Sequence, residues 1–364
     1  MGIASTLMSQ DLTNIALSIQ SKTNKHVEQA LGKTSRNLDD FMALISPAAT
    51  PYLEEMAAQS QMLTRARFGN TMGLFVPLYL ANLCANECTY CGFTMSNKIK
   101  RTVLNLSQIE TEIDAITDMG FSQVLLVTGE HEQKVGMPYF SEVLPAIRAK
   151  ASNVMMEVQP LPQKDYETLK TLGVDAVLVY QETYNPQAYA KYHTRGKKQD
   201  FLWRLQASDR IGAAGIDKIG IGALLGLGDW RTDSVMTALH GQLIQQHYWR
   251  SRVAISFPRL RQCEGNTNDS VNLLTQQFPN ETQLLQLICA HRLFNPQAEL
   301  SLSTRESARF RDGVLPLGIT SMSAGSQTQP GQFDIDDARA VNLVAAAIEA
   351  KGLEPVWKDW MAFS

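Results

Sequence analysis

Apolar positions along the chain follow two rhythms. Up to about residue 70 they recur at helical spacing: Val27, Ala30 and Leu31, then Leu38, Phe41, Met42 and Ile45. Positions three and four apart share one face of a helix. Asn37-Leu-Asp-Asp supplies a side-chain cap for the second set, Ser46-Pro47 breaks it, and a longer amphipathic segment runs from Pro51 to Phe68. No chemistry is visible here, so residues 1–70 are expected to form a helical packing extension.

From Gly73 short apolar runs alternate with amphipathic segments. The runs are Leu74–Leu80, Val124–Glu130, Val154–Pro160, Ala176–Glu182, Lys218–Gly226, Arg252–Leu260, Glu299–Glu306 and Ile319–Gly325. Helical patterns between them cover Leu106–Met119, Tyr139–Lys150, Lys164–Leu172, Phe201–Ala213, Asp233–His247 and Glu281–Phe294. Such alternation predicts parallel strands joined by crossover helices. Eight units in about 250 residues fit an α/β fold of the (β/α)8 TIM type. An open doubly wound sheet is the alternative. The barrel is assigned to residues 71–330, and 331–364 to a segment packing on it, with a C-terminal helix at Val341–Glu349. Trp357 and Trp360 read as packing residues.

Polar residues gather at the carboxyl ends of the runs. They include Thr128-Gly129-Glu130, Glu157-Val158-Gln159, Gln181-Glu182-Thr183, Arg259-Leu260-Arg261, Ser303-Thr304-Arg305-Glu306 and Ser321-Met322-Ser323. In a barrel those ends surround one mouth, where chemistry is done. These residues are therefore expected to converge on one cavity.

Composition narrows the partners. The chain of 364 residues carries 33 Lys+Arg against 36 Asp+Glu, a formal charge of −3, with no basic block. Nucleic acid and anionic membrane are poor partners for it. No apolar run has membrane-spanning length and no leader pattern is visible. Met1-Gly2-Ile3-Ala4-Ser5-Thr6 matches the loose myristoylation pattern, but no polybasic second anchor follows, so chance explains it better. Five cysteines, an odd count with two far apart, indicate a reducing, cytoplasmic setting.

Three of the five stand together in Cys84-Ala-Asn-Glu-Cys88-Thr-Tyr-Cys91-Gly-Phe, just after the first strand. Thiolates at this spacing suit three corners of an iron–sulfur cubane and leave the fourth iron open. Structural zinc usually needs two separated pairs of ligands, and no second Cys/His pair stands out; a disulfide pair is the other alternative. Cys263 and Cys289 are not expected to be ligands. The six histidines have no metal-like spacing, and only His131 is expected near the mouth.

The cysteine run resembles that of the radical S-adenosylmethionine (SAM) superfamily. The resemblance implies a 4Fe–4S cluster on Cys84, Cys88 and Cys91, with the amine and carboxylate of SAM on the open iron. One-electron reduction then yields a 5′-deoxyadenosyl radical. By the same resemblance Tyr90 packs on the SAM adenine and Gly129-Glu130 holds its amine. Glu157 and Arg259 are assigned as further cofactor contacts. The crowded glycines Gly220, Gly222, Gly226 and Gly228 admit either a close approach of adenosine or tight packing. A P-loop or Rossmann reading fails on spacing.

Further segments narrow the likeness: RFGNT, PLYLANLCANECTYCGFTMSNKIKR, LLVTGEH, MEVQPL, VYQETY, GKKQDF, AGIDKIGIGAL, SFPRLR, SLSTRE and TQPG. They resemble the 2-iminoacetate synthase family, the tyrosine lyases of bacterial thiamine thiazole synthesis. The resemblance implies SAM and L-tyrosine as substrates and abstraction of a hydrogen from the tyrosine amine. Cleavage of the Cα–Cβ bond then gives 2-iminoacetate and p-cresol, with 5′-deoxyadenosine and methionine. It further implies thiazole synthase as protein partner and a flavodoxin-like electron donor. Arg305, with Ser303, is assigned to the substrate carboxylate, because a guanidinium grips a carboxylate through two parallel bonds. Glu182 is taken as catalytic, and Tyr180, Gln181, Glu182 and Tyr184 as the phenol pocket. The segment near Gly331–Asp337 is shorter than in relatives. Tryptophan-cleaving lyases and a non-catalytic iron–sulfur module are the alternatives. A second cluster, as in hydrogenase-maturation or biotin-synthase-like enzymes, is not expected: no cysteine follows Cys289 and the strand runs near Val124 and Ala176 carry none.

Overall fold

The computed structural model of the protein describes residues 2–261, 278–326 and 335–358. Cys263, Trp360 and most of the Gly331–Asp337 segment lie outside the described residues.

Five helices come first: α1 (Ile3–Met8), α2 (Leu12–Gln20), α3 (Asn24–Leu31), α4 (Leu38–Leu44) and α5 (Leu53–Phe68). The Asn37 side chain accepts from the Asp40 N–H and caps α4 as its sequence requires. Pro51 falls in a short 3-10 turn, Pro47–Tyr52, so α5 starts two residues after it.

Then come β1 (Thr71–Ala81), β2 (Glu87–Cys88), α6 (Leu106–Asp118), β3 (Gln123–Thr128), α7 (Met137–Arg148), β4 (Asn153–Glu157), α8 (Gln163–Thr171) and β5 (Ala176–Leu178). They continue with α9 (Pro186–Tyr192), β6 (His193–Arg195), α10 (Phe201–Leu205), α11 (Ala207–Ala213), β7 (Lys218–Gly222), α12 (Trp230–His247) and β8 (Arg252–Ser256). The last are α13 (Glu281–Phe294), β9 (Glu299–Leu302), α14 (Ala308–Val314), β10 (Ser321–Ser323), α15 (Val341–Glu349) and β11 (Glu354–Val356).

The sheet runs β10-β9-β8-β7-β5-β4-β3-β1 and closes through β10–β1, with Gly73 opposite Ser321. All of these pairings are parallel, so eight strands form a closed barrel and the doubly wound alternative falls away. Strands β3 and β7 are buried along their whole length, as expected of strands covered on both faces. Helices close the outside with apolar stripes such as Ile109, Ile113 and Ile116 of α6.

Every predicted strand exists, but all except the first are shorter at the carboxyl end than their apolar run. Their last residues leave the ladder to build the mouth. The Phe201–Ala213 pattern is two helices rather than one.

Buried side chains tie the N-terminal helices to the barrel. Gln286 of α13 donates to the Leu44 and Ser46 carbonyls at 2.8 and 2.9 Å. Arg36 reaches the carbonyls of Ala30, Leu31 and Leu293. At the other end of the chain β11 pairs with β1, and Trp357 packs edge-on against Phe121.

Candidate active site

The chain from Asn82 to Arg101 forms the loop that carries the three cysteines. One residue holds its two ends together. Arg101 donates to the carbonyls of Asn82 (2.8 Å), Phe93 (2.9 Å), Thr94 (2.6 Å) and Asn97 (3.1 Å). The Cys88 N–H is satisfied by Thr94 Oγ1 at 2.9 Å, and the Phe93 N–H points at Cys91 Sγ at 3.4 Å.

Two glycines let other segments lie against this loop. A Cβ on Gly129 would stand 2.3 Å from the Leu83 carbonyl oxygen. One on Gly196 (φ +90) would stand 2.3 Å from Asn86 Oδ1. The space that Gly129 leaves on this side is therefore filled by the protein's own chain. The short β2–β6 ribbon sets Cys88 opposite His193. His193 donates through Nδ1 to the Tyr189 carbonyl and accepts from the Tyr90 hydroxyl at 2.8 Å. Burial pushes its pKa down to about 3, so it is a neutral support for Tyr90. His193 thus stands beside the cysteine loop, where only His131 was expected.

Cys84, Cys88 and Cys91 are free thiols lining one cavity of about 280 Å³. Part of the expected set converges on it: Tyr90 of the loop and the strand-end Gly129, Glu130, Glu157, Glu182, Ser303 and Arg305 line its wall, whereas Gln159, Thr183, Glu306, Ser321 and Met322 do not. Phe75, Leu125, Val127 and Leu178 of the barrel interior supply an apolar floor.

Arg259 departs from expectation. Its guanidinium is buried in a two-bond pair with Glu306 (Nε to Oε1, 2.9 Å) and donates to the Pro279 carbonyl. It is absent from the cavity wall, where Arg261 stands instead. Residues two apart share a face of an extended chain, so the strand pattern would send Arg259 and Arg261 the same way; they part because the strand ends at Ser256.

Gln181 and Tyr184 also depart. Tyr180 and Glu182 line the cavity, but the other two do not. The Tyr184 hydroxyl pairs with His240 at 2.8 Å in the helix layer.

Packing accounts for three of the four crowded glycines. A Cβ on Gly220 would strike Leu178, one on Gly222 the Ser256 carbonyl, and one on Gly228 Thr183 and Asp233.

Two residues not singled out in the sequence complete the charged end of the cavity, Lys198 and Arg204. Arg204 pairs with Glu130 at 2.9 Å and approaches Glu182 at 3.5 Å; Lys198 pairs with Glu182 at 2.7 Å. Asn86 of the cysteine loop donates to the second Glu130 oxygen at 2.8 Å. Burial opposes charge on Glu130, but Arg204 and Lys198 overcome it and hold the carboxyl below its usual range. Glu182 is held low in the same way, by Lys198 and then Arg204. Asn86, Glu130, Lys198 and Arg204 also face a second cavity of about 280 Å³, so they form a wall between the two. A buried ionic group of this kind adds little net stability, which directs attention to what it binds.

On the same cavity wall the Tyr180 hydroxyl is hydrogen-bonded to Ser256 Oγ at 3.1 Å and to Glu157. Burial, and then the charge of Glu182, pushes the Glu157 carboxyl up to about 7. The Arg305 loop is stapled to β10 by the bond from the Thr304 N–H to Ser323 Oγ, at 2.9 Å.

Two family models match: Radical SAM superfamily over residues 78–239, and Biotin and Thiamin Synthesis associated domain over residues 256–354. The 2-iminoacetate synthase of Escherichia coli K12 is 55% identical over 97% of this chain and 95% of its own. The chain belongs to the 2-iminoacetate synthase family. The Salmonella typhimurium enzyme of the same name is also 55% identical, over 95% of this chain and 93% of its own. Among solved structures, the FeFe-hydrogenase maturase HydG from Carboxydothermus hydrogenoformans superposes with a TM-score of 0.86. It shares 30% identity over 98% of this chain and 84% of its own. Methylornithine synthase shares the fold, with a TM-score of 0.74 at 17% identity over 91% of this chain and 97% of its own.

The donor set fits the family's 4Fe–4S cluster and SAM. Three free thiols on one loop face one cavity, next to a charged group matched to an amino acid's ends. Cys289 is buried in α13, and burial raises its thiol to about 12.

Proposed function

We propose that this chain cleaves the Cα–Cβ bond of L-tyrosine, giving 2-iminoacetate and p-cresol, with SAM consumed to 5′-deoxyadenosine and methionine. The observation that carries this reading is one cavity lined by three thiols, by the Glu130–Arg204 and Glu182–Lys198 pairs and by Arg305, in a chain of the 2-iminoacetate synthase family.

Cys84, Cys88 and Cys91 would hold the cluster, which with bound SAM supplies the 5′-deoxyadenosyl radical. Glu130 and Glu182 are acceptors for the SAM amine and hydroxyls. Arg204 and Lys198 carry the matching positive charge. Tyr90, braced by His193, covers the loop.

Arg305 anchors the tyrosine carboxylate, and Tyr180 and the apolar floor receive the phenol ring. Glu157 titrates near neutrality, so it is suited to take the proton that the substrate ammonium must lose before its nitrogen becomes an amine. Closing these groups in an apolar barrel keeps water from a reactive nitrogen-centred species.

The product's chemistry fits hand-over to thiazole synthase, and a flavodoxin-like carrier is the proposed electron donor. The setting proposed is cytoplasmic. Among the described residues no helix is long and apolar enough to cross a membrane.

Arg305→Lys tests the assignment. A lysine keeps the charge and loses the planar fork. The ratio of p-cresol to 5′-deoxyadenosine should fall by about tenfold or more, because misplaced reacting atoms cost orders of magnitude. A wild-type ratio with wild-type tyrosine affinity would remove Arg305 from the carboxylate site.

A further inference from the structure

Among the described residues Glu182 is the one non-glycine with positive φ, at 70°. In that conformation an L-residue's Cβ crowds its own backbone, so the surroundings must hold it there. The local geometry is tighter still. The Thr183 N–H donates to the Gln181 carbonyl at 2.9 Å, closing a three-residue turn centred on Glu182. With φ positive this is the rare and strained form of that turn. The strained residue is also the one whose carboxylate meets Lys198 and Arg204 in the cavity.

The upstream side of the turn is fixed by the sheet. The Gln181 N–H donates to the Gly222 carbonyl at 3.0 Å, and the Glu182 carbonyl accepts from Leu224 at 2.8 Å. The downstream side hangs on Asp233, in the first turn of α12. One oxygen, Oδ1, accepts both the Thr183 hydroxyl (3.0 Å) and the Tyr184 N–H (2.8 Å). The Thr183 hydroxyl then accepts from the Asn185 N–H at 3.2 Å. Gly228 passes directly over this point: a Cβ there would lie 2.8 Å from Thr183 Oγ1 and 2.9 Å from Asp233 Oδ2.

Asp233 is 2% exposed, outside the cavity wall, and its Oδ2 has no hydrogen-bond partner among the described residues. Burying a carboxyl half-satisfied is unfavourable, and here the return for it is a fixed turn. We infer that Asp233 is a positioning residue: it locks the strained turn through Thr183 and Tyr184, and so aims the Glu182 carboxylate at Lys198 and Arg204. The inference rests on the reading above in which Glu182 belongs to the SAM-binding end of the cavity.

The test is SAM affinity of the anaerobically reconstituted holoenzyme, measured by equilibrium binding at matched iron content. Asp233→Asn keeps an oxygen at Oδ1 and should bind SAM within about twofold of wild type. Asp233→Ala removes both bonds and should weaken SAM about tenfold, as Glu182→Gln should. The double variant should be no weaker than the weaker single, because both lose one interaction. Should Asp233→Ala not fold, Thr183→Val, which removes the hydroxyl that Asp233 accepts and that caps the Asn185 N–H, takes its place in the same comparison.

Effects that multiply in the double variant, or wild-type affinity in Asp233→Ala, would overturn the clamp while leaving Glu182 in the SAM site. Wild-type affinity in Glu182→Gln would overturn the Glu182 assignment, and the clamp with it.

Discussion

Glu157 is the residue whose chemistry depends most on where the fold puts it. Its ordinary pKa is 4.5, and in the barrel it is about 7 because burial and Glu182 disfavour its charge. The stability this carboxyl contributes is fully present below pH 4.5 and is lost as pH rises through about 7. Glu130 and Glu182 have the opposite sign. Their folded values are lowered, so their contribution is present above 4.5 and lost as pH falls. In the proposed reaction the charged Glu157 is the active form. Activity should rise with an inflection near pH 7, and Glu157→Gln should remove the inflection and about a hundredfold of rate. An unchanged pH–rate profile in that variant would return the proton to another group. Cys84→Ala, Cys88→Ala and Cys91→Ala should each abolish bound iron and its visible absorbance, whereas Cys289→Ala should retain both. Iron loss in Cys289→Ala equal to theirs would contradict the ligand assignment. The three cysteines were legible because their spacing is local. Lys198 and Arg204 were not: Arg204 pairs with Glu130 across 74 positions of sequence, and only the closed barrel brings the two together. Arg259 and Arg261 were both legible as mouth residues, but which faces inward depends on the backbone after Ser256.

The elements divide in the same way. Long periodic segments were readable: β1, β3, β7 and the helices α6, α12 and α13 follow from apolar spacing alone. Strand ends were not, because residues such as Gly129, Glu130 and Glu182 continue an extended run in sequence while their backbone turns into the mouth. The β2–β6 ribbon was missed because it has only two residues on one side and three on the other. The cysteine loop depends on a device of this scale, the four carbonyl bonds of Arg101. Arg101→Ala leaves those carbonyls without a charged donor. It should lower the unfolding free energy by about 2 kcal/mol or more and speed the loss of iron from the reconstituted protein. Arg101→Lys should not restore iron retention, since one ammonium cannot span the fork. Wild-type melting temperature and iron retention in Arg101→Ala would show that the loop holds itself.

At the scale of the molecule, the closed barrel turns eight separated strand ends into one wall. That convergence makes a dispersed set of Glu, Tyr, Ser and Arg residues a site. The N-terminal helices and β11 brace the barrel from outside, through Gln286, Arg36 and the β1 pairing. The central claim is that this one cavity joins SAM cleavage to scission of the tyrosine side chain. The direct measurement is an anaerobic turnover of the reconstituted, reduced protein with SAM and either tyrosine or tryptophan, with products separated and quantified. The account predicts p-cresol and 5′-deoxyadenosine together from tyrosine, and no indolic product from tryptophan. 5′-Deoxyadenosine without p-cresol from tyrosine, or a skatole-type product from tryptophan, would contradict it.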